Sequence, residues 1–321
     1  MHLAAGAPAA RILAFGGYQP ANVVTNDDLA ATIDTNDQWI RSRVGIARRR
    51  IAGAGETVAD MAVAAGGKAI AASGISAGDI DLVIVATCTQ ETQIPGAAAV
   101  VAHRLGVRAP GAYDINAACA GFCYALAGAS DAIRAGSAQR ALIIGAEKLS
   151  AWVDWTDRST CIIFADGAGA AVVTAADAAD EAGIGPVVWG SAGEHGDKIV
   201  IPDRTSFIFQ EGQTIFRWAT SALGPVAKAA CERAGVAPAD LAAFVPHQAN
   251  LRIVEAIARQ LKAKNAIVAD DIVDSGNTSS ASIPLALARM IEKGDVGSGE
   301  PVLIIGFGAG LTYAAQVIMT P

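Results

Sequence analysis

Continuous apolar runs alternate along the chain with segments whose apolar residues recur every three or four positions. Residues 81–87 (DLVIVAT) and 140–145 (RALIIG) lack the strict alternation of a half-exposed strand, so they predict strands covered on both faces. Residues 119–134 place apolar side chains on one face at helical spacing, which predicts an amphipathic helix. This alternation of buried strands and helices is typical of α/β folds.

The chain contains an internal repeat. Residues 74–85 and 235–246 show the same order of helix end, turn and buried strand, and 235 minus 74 is 161. The four residues LIIG at 142–145 recur at 303–306, and the offset is again 161. A constant offset without drift indicates that one α/β unit has been duplicated.

The repeat covers roughly 57–150 and 218–311 and divides the chain into two halves, 1–177 and 178–321. We expect each half to form its own sheet, and the two sheets to pack face to face across shared central helices. Residues 178–217 lie outside the repeat and are rich in Gly, Pro and aromatic residues, so we expect an insertion or cap there. Catalytic groups should gather where corresponding loops of the two halves meet.

Composition narrows the class of protein. Of 321 residues, 52% are hydrophobic but only 5% aromatic, and 34 are glycine, which fits elements packed closely through small side chains.

No run of 18 apolar residues is free of charged, Gly or Pro residues, so we expect no membrane span, and the N-terminus lacks the basic start of a secretory signal. Five cysteines, an odd number, favour a reducing compartment and hence the cytoplasm. A net charge of −7 disfavours nucleic-acid binding.

Cys119 lies in a small-residue turn between a predicted strand and the helix of residues 119–134. Backbone N–H groups and the positive end of the helix dipole at such a turn stabilise a thiolate and lower the pKa of the cysteine. The alternative is a small buried core cysteine, and from the spacing alone both interpretations stay open. We assign the other four cysteines to the core: Cys88, Cys123, Cys161 and Cys231.

Asn277 and His247 are the other two candidates for chemistry. The repeat places Asn277 opposite Asn116, three residues before Cys119, although an asparagine before a helix is also a common N-cap. His247 ends a buried strand, where catalytic residues of α/β sheets concentrate, although a lone histidine is more often structural. Together the three residues indicate acyl transfer, in which a thiolate attacks a thioester while hydrogen-bond donors hold the oxygen that gains charge. No spacing of Cys and His indicates a metal site.

Three motifs resemble the catalytic motifs of β-ketoacyl-[acyl-carrier-protein] synthase III, the enzyme that initiates type II fatty acid synthesis. They are 116–122 (NAACAGF), 245–253 (VPHQANLRI) and 276–279 (GNTS), joined by further matches at 36–46 and 156–158. The resemblance extends from about residue 11 to residue 319. It implies the thiolase fold, five layers in the order αβαβα built from two duplicated halves, and a homodimer.

The resemblance also implies a decarboxylative condensation. Cys119 takes the acyl group from acyl-CoA, and malonyl on acyl carrier protein then enters. His247 and Asn277 hydrogen-bond the malonyl thioester oxygen while CO2 leaves, and the enolate carbon attacks the acyl-enzyme to give 3-ketoacyl-carrier protein. The backbone N–H groups of Cys119 and Ala309 match the oxyanion hole, where the family usually has Gly in place of Ala309. Acyl-CoA is a substrate, and no cofactor or metal is expected.

Further positions match the family's binding residues. Those for the nucleotide end of coenzyme A are Trp39, Arg43 and Arg158. Those lining the pantetheine tunnel are Gly212, Phe216 and Asn250. Ile94 matches a residue that enters the partner's acyl pocket and is often Phe, so we expect a roomier pocket for branched or medium-chain starters. Arg252, Arg259 and Lys262 form a basic patch suited to an acidic carrier protein, although basic residues are also common at a helix C-terminus.

The main alternative function is that of a related acyltransferase that primes or acylates in a secondary-metabolite (polyketide) pathway. Members of that group often replace the residue that matches His247 or Asn277, and both residues are present here. An inactive scaffold subunit is a third possibility, but such subunits lose the cysteine.

Overall fold

The computed structural model describes residues 6–321, and these residues form nine α-helices and fourteen β-strands. The helices are α1 (Asn26–Ala30), α2 (Asp37–Val44), α3 (Val58–Ser73), α4 (Ala97–Arg104), α5 (Gly121–Arg134), α6 (Gly212–Ala234), α7 (Leu251–Leu261), α8 (Ile272–Ser275) and α9 (Ser282–Lys293). The strands are β1 (Ala9–Tyr18), β2 (Asn22–Thr25), β3 (Arg48–Ile51), β4 (Leu82–Ala86), β5 (Gly111–Ile115), β6 (Arg140–Lys148), β7 (Asp166–Ala176), β8 (Val188–Ser191), β9 (Ile199–Val200), β10 (Phe209–Gln210), β11 (Ala243–Pro246), β12 (Ile267–Val268), β13 (Pro301–Gly308) and β14 (Thr312–Met319). None of these helices combines the length and the apolar character that a membrane crossing requires.

Two five-stranded sheets have the same internal order. The first runs β1-β7-β6-β4-β5, and the second, read in the matching direction, runs β8-β14-β13-β11-β12. Each sheet has three parallel strands at one end, β6-β4-β5 in the first and β13-β11-β12 in the second. The remaining two strands of each sheet are added antiparallel. The sheets therefore correspond strand for strand, as the repeat in the sequence predicts.

Helices cover both faces of both sheets. Apolar residues of α3 and α4 pack on the outer face of the first sheet, and those of α6 and α7 pack on the outer face of the second. Helices α5 and α9 lie between the sheets, where their apolar residues share one core with strands of both halves. The order helix, sheet, helix, sheet, helix is the five-layered αβαβα arrangement.

The outer helices α3 and α6 end in the same way. Gly74 and Gly235, which are 161 positions apart, follow these helices with φ of 73° and 69°. Glycine adopts this left-handed conformation without a Cβ clash and so ends a helix at low cost. The repeated pattern of helix end, turn and strand in the sequence thus corresponds to repeated helix termination in space.

The expected insertion at residues 178–217 needs a correction. Within it, Val188–Ser191 (β8) pairs antiparallel with β14 and takes the edge position that β1 has in the first sheet. The sequence match is lost because β8 has four half-exposed or exposed residues and so no continuous apolar run. The expected cap corresponds to β9 and β10, which pair with each other and line the cavity described below.

Candidate active site

The two halves bring equivalent turns together at the centre of the molecule. One turn passes through Ala118 into α5 and the other through Ser279 into α9, and these two residues are 161 positions apart. Both have positive φ, 46° and 50°, which is strained for residues with a Cβ. Cys119 and Ser280 follow directly, so they occupy equivalent places at the start of the two central helices.

Two glycines allow each turn to approach the opposite sheet closely. A Cβ at Gly145 in β6 would lie 2.3 Å from the carbonyl oxygen of Ser280. A Cβ at Gly306 in β13 would lie 2.9 Å from the Cα of Ala120. Gly145 and Gly306 are also 161 positions apart, so each sheet has a glycine where the turn of the other half crosses it.

A cavity of about 700 Å³ lies against these turns. Cys119, His247 and Asn277 all line it, as does Ala309. Much of the remaining wall is apolar and is formed by Val44, Leu149, Ile162, Ile163, Phe164, Ile199, Ile201, Ile208, Phe216 and Phe307. An apolar wall with a few convergent polar groups is typical of a small-molecule site.

Cys119 is half-buried in this cavity, whereas Cys123, Cys161 and Cys231 are buried in the core as expected. Removal from water raises the pKa of Cys119 to about 12; hydrogen bonds from Ser279 and from its own backbone N–H oppose the rise. The expectation of a lowered pKa is therefore wrong here, because desolvation outweighs these hydrogen bonds. The sulfur is a thiol before substrate binds, so its proton must leave as it attacks.

Glu147 is a fully buried carboxylate near the end of β6 that sequence reasoning missed. It accepts hydrogen bonds from the hydroxyls of Ser279 and Ser280 in the second half, both at 2.9 Å. Within the first half its donors are the Thr87 hydroxyl, the Cys88 backbone N–H and the Thr89 hydroxyl. One carboxylate thus joins the two halves. In the sequence, Glu147 is recognisable as an acidic residue at the end of the apolar run that follows Arg140.

The second-half equivalent of Glu147 is Gly308, 161 positions further along. A Cβ at Gly308 would lie 2.8 Å from the backbone nitrogen of Cys119. A glycine therefore lies against Cys119 on one side of the molecule, and a glutamate lies against Ser280 at the equivalent place on the other.

Cys88 also lines the cavity, which corrects its assignment to the core. Its Sγ is 3.4 Å from Oε1 of Glu147 and 3.9 Å from the hydroxyl of Ser279. Burial raises the pKa of Cys88 well above its ordinary value, and the Glu147 charge adds to the rise. Cys88 is therefore a protonated thiol in the cavity wall.

His247 follows β11 and is 1% exposed. Its Nδ1 lies 2.7 Å from the hydroxyl of Ser282, the first residue of α9. The ring packs edge-on against Phe307, with ring centroids 5.2 Å apart. Burial lowers the pKa of His247 to about 3, so the imidazole is neutral at physiological pH.

Asn277 is held by backbone atoms on both sides. Its Oδ1 accepts a hydrogen bond from the N–H of Ser279 at 2.8 Å, which leaves its Nδ2 free to donate into the cavity. Its backbone N–H donates to Ile163 and its carbonyl accepts from Ala165, both at 2.9 Å, across the junction of the halves. The alternative role as N-cap of α9 is wrong, because that position is Ala281.

Aromatic and basic groups surround one end of the cavity. The guanidinium of Arg158 lies 4.6 Å from the ring centroid of Trp39, and that of Arg43 lies 5.5 Å from it. Arg158 also donates to the backbone carbonyl of Asp34 at 2.7 Å. It stacks on Trp39 without lining the cavity, whereas the other predicted coenzyme contacts do line it: Trp39, Arg43, Gly212, Phe216 and Asn250.

The remaining predicted residues are divided between the cavity and the surface. Arg252 lines the cavity, with its guanidinium 5.2 Å from the ring centroid of Phe216. Arg259 and Lys262 are exposed near the C-terminal end of α7, outside the cavity. Ile94 is 86% exposed and also lies outside it. Among residues 6–321, no cluster of three or more His, Cys, Asp or Glu residues could hold a metal ion.

The fold and the site define a condensing enzyme of the thiolase superfamily, an acyltransferase. The family model of 3-oxoacyl-[acyl-carrier-protein] synthase III matches residues 113–193, and the family model of the C-terminal part of this enzyme matches residues 231–320. The chain therefore belongs to the β-ketoacyl-[acyl-carrier-protein] synthase III family, and the resemblance and the fold prediction are confirmed.

Whole-chain relatives agree with this assignment. Beta-ketoacyl-[acyl-carrier-protein] synthase III 4 of Streptomyces coelicolor is 55% identical over 311 residues, covering 97% of this chain and 98% of the relative. Beta-ketoacyl-[acyl-carrier-protein] synthase III 2 of Streptomyces avermitilis is 56% identical over 311 residues, covering 97% and 99%. The crystal structure of the priming β-ketosynthase from the R1128 polyketide biosynthetic pathway superimposes with a TM-score of 0.95 at 40% identity, covering 100% of this chain and 98% of that one.

Proposed function

We propose that this protein condenses an acyl-CoA starter with malonyl-acyl carrier protein. The products are 3-ketoacyl-carrier protein, CO2 and CoA, and the reaction initiates type II fatty acid biosynthesis. The observation that carries the proposal is that Cys119, His247 and Asn277 line one cavity with apolar walls. This chemistry needs a thiol and hydrogen-bond donors, and no cofactor or metal has a step in it.

In the first half-reaction, Sγ of Cys119 attacks the carbonyl carbon of acyl-CoA. The carbon–sulfur bond to coenzyme A breaks, and the proton of the Cys119 thiol leaves with coenzyme A, so the products are acyl-Cys119 and CoA–SH. Backbone N–H groups of Cys119 and Ala309 would hold the oxygen that becomes negative in the tetrahedral intermediate. Ala309 keeps this N–H donor despite its methyl group, and it lines the cavity together with Cys119.

In the second half-reaction, the malonyl thioester oxygen would accept hydrogen bonds from His247 and from Nδ2 of Asn277. The bond from the malonyl carboxylate to C2 breaks, CO2 leaves, and negative charge moves onto the held oxygen. Carbon C2 then attacks the acyl carbon, the bond from that carbon to Sγ of Cys119 breaks, and the released thiolate takes up a proton from water to regenerate the thiol. A neutral His247 suits this role because its N–H donates a hydrogen bond and the ring need not first take up a proton from the medium.

The surroundings of the cavity support the expected substrates. Trp39 offers a ring face and Arg43 a guanidinium, which suit an adenine, and the guanidinium of Arg158 would contact the anionic nucleotide end. Arg252, at the cavity, and the exposed Arg259 and Lys262 would attract an acidic carrier protein and so place its prosthetic arm at the entrance.

A second copy of the chain would complete the acyl pocket. Strand β5 is the edge of the first sheet, and its Tyr113 is 47% exposed. Ile94 precedes this edge and is 86% exposed, which is unusual for a large aliphatic residue. We place the homodimer contact at this edge, with Ile94 entering the partner's pocket and leaving more room there than Phe would.

The second candidate function is priming of a polyketide pathway. It is favoured by the TM-score of 0.95 to a solved structure described as a priming β-ketosynthase. Both functions place the enzyme in a reducing compartment, and the five free cysteines suit the cytoplasm.

The test is incubation with radiolabelled acyl-CoA, followed by malonyl-carrier protein labelled in the carboxyl group. We expect label on Cys119, then release of labelled CO2 and formation of a 3-ketoacyl product. Cys119→Ala should take up no label, whereas His247→Ala and Asn277→Ala should take up label and fail to release CO2. An absence of acyl-enzyme from every starter would refute the proposal, and a stable acyl-enzyme without CO2 release would favour acylation of another acceptor.

A further inference from the structure

His247 and Ser282 are in hydrogen-bond contact inside the molecule. Nδ1 of His247 is 2.7 Å from Oγ of Ser282, and both residues are 1% exposed. Because His247 is neutral, it has one N–H, and this contact is compatible with either nitrogen as its site. The choice follows from the other bonds of the serine.

The backbone N–H of Gln248 donates to the same serine oxygen at 3.3 Å. The serine hydroxyl still has its own proton to donate, and within residues 6–321 the acceptor in hydrogen-bond reach is Nδ1 of His247. If Nδ1 carried the proton instead, a buried hydroxyl proton would have no acceptor, which is unfavourable. The serine hydroxyl and Nδ1 are both satisfied when the serine donates to Nδ1, and the proton of His247 is then on Nε2.

Hydrogen bonds of the Gln248 side chain hold this residue in place, so its backbone N–H stays directed at the Ser282 oxygen. Its side-chain Nε2 donates to the carbonyls of Pro246 at 2.8 Å and Ala269 at 3.3 Å. Its Oε1 accepts from the backbone N–H of Ile272 at 3.0 Å. The serine therefore receives one hydrogen bond from a rigid backbone group and directs its own proton to the imidazole.

We propose that Ser282 is a positioning residue that donates to Nδ1 of His247 and thereby keeps the imidazole proton on Nε2, the nitrogen available to the substrate. The proposal rests on the proposed function, in which His247 donates to the malonyl thioester oxygen. In the other tautomer, Nε2 would present a lone pair to an oxygen that is becoming negative. Ser282 thus serves decarboxylation, and acylation of Cys119 does not depend on it.

The first test needs no variant. The chain has four histidines, so protein labelled with 15N-histidine gives few signals, and His247→Gln identifies the one that belongs to His247. Long-range 1H–15N correlation then distinguishes a protonated Nε2 from a protonated Nδ1. We expect the proton on Nε2 in the wild type and a mixture of both forms in Ser282→Ala. A wild-type proton on Nδ1 would overturn the proposal whatever the variants do.

The second test compares the two half-reactions. Ser282→Ala should slow CO2 release from malonyl-carrier protein by roughly 10- to 100-fold, the usual effect of removing a partner that orients a functional histidine. Acyl-Cys119 should form at a rate within about twofold of the wild type. Ser282→Thr keeps the hydroxyl and should recover most of the loss. Ser130→Ala, a buried serine on α5 away from the cavity, is the matched control.

Equal slowing of both half-reactions, or no recovery in Ser282→Thr, would show that Ser282 has a merely structural role. Failure of the proposed function looks different, because the wild type would then release no CO2. The tautomer of His247 could still be read from the correlation spectrum in that case.

Discussion

Replacing Gly145 with alanine tests whether close contact between the halves holds the site together. The new Cβ would lie 2.3 Å from the carbonyl oxygen of Ser280 and 2.7 Å from its carbonyl carbon, where 3.4–4 Å is ordinary contact. Both atoms belong to the backbone, so β6 and the turn would have to separate by about 1 Å in a densely packed interior. Overpacking of this kind costs about 1–3 kcal/mol.

The separation would also stretch the hydrogen bond that the Ser280 hydroxyl donates to Glu147 at 2.9 Å. A hydrogen bond to a charged group contributes about 1.5–3 kcal/mol. We therefore expect Gly145→Ala to lower the free energy of unfolding by about 2.5–6 kcal/mol.

The assay is equilibrium unfolding in urea, followed by tryptophan fluorescence at a fixed protein concentration, since association shifts apparent stability. Gly67→Ala is the control: its new Cβ would meet Leu105 at 3.7 Å, an ordinary contact, within helix α3. Alanine is favoured over glycine in a helix by about 1 kcal/mol, so this variant should gain stability. A Gly145→Ala midpoint equal to or above that of the wild type would refute the reasoning.

Three further predictions concern His247, Arg252 and Ile94. Because burial lowers the pKa of His247 from 6.5 to about 3, the unfolded chain binds a proton in this interval that the folded chain does not. The free energy of unfolding should therefore decrease as the pH is lowered between these values, by up to about 1.4 kcal/mol per pH unit. In His247→Gln, urea unfolding should show a smaller decrease. Arg252→Ala should raise KM for malonyl-carrier protein several-fold and leave hydrolysis of acyl-CoA unchanged. Ile94→Phe should shift the kcat/KM preference toward short starters such as acetyl-CoA.

Each of these predictions has a result that contradicts it. An exposed histidine serves as the control for the first, and equal pH profiles for His103→Gln and His247→Gln would count against a buried neutral imidazole. An unchanged KM in Arg252→Ala would remove this residue from the carrier-protein surface. The same ranking of starters in Ile94→Phe would show that Ile94 does not bound the acyl pocket.

Much of the fold could be predicted because its signals are local. The runs 82–86 and 301–308 are buried on both faces in the structure, and such strands keep their apolar residues through duplication. Edge strand β8 has no clear signal in the sequence because a short, half-exposed strand retains little of this apolar pattern. The motifs around Cys119 and His247 were visible for a different reason, since polar or reactive residues at strand ends stand out against apolar runs.

The parts that could not be predicted depend on neighbours distant in sequence. Glu147 accepts hydrogen bonds from hydroxyls more than 130 positions away, and no local pattern marks such a partner. The pKa of Cys119 also depends on distant residues. A helix N-terminus, which lowers the pKa, is recognisable in the sequence, but the desolvation that raises it more comes from the assembled cavity. Cys88 follows an apolar strand, which predicts a core position, but that strand ends at the cavity.

Duplication of one unit leaves two equivalent places for a nucleophile, at Cys119 and at Ser280. Gly308 leaves the first place open to the cavity, whereas the side chain of Glu147 fills the matching space at the second and fixes the hydroxyl there. The first place lines the cavity, and the second contributes hydrogen bonds between the halves. The chain is thus symmetric as a scaffold and asymmetric as a catalyst, and Gly308 against Glu147 is one pair of equivalent positions at which the two halves differ.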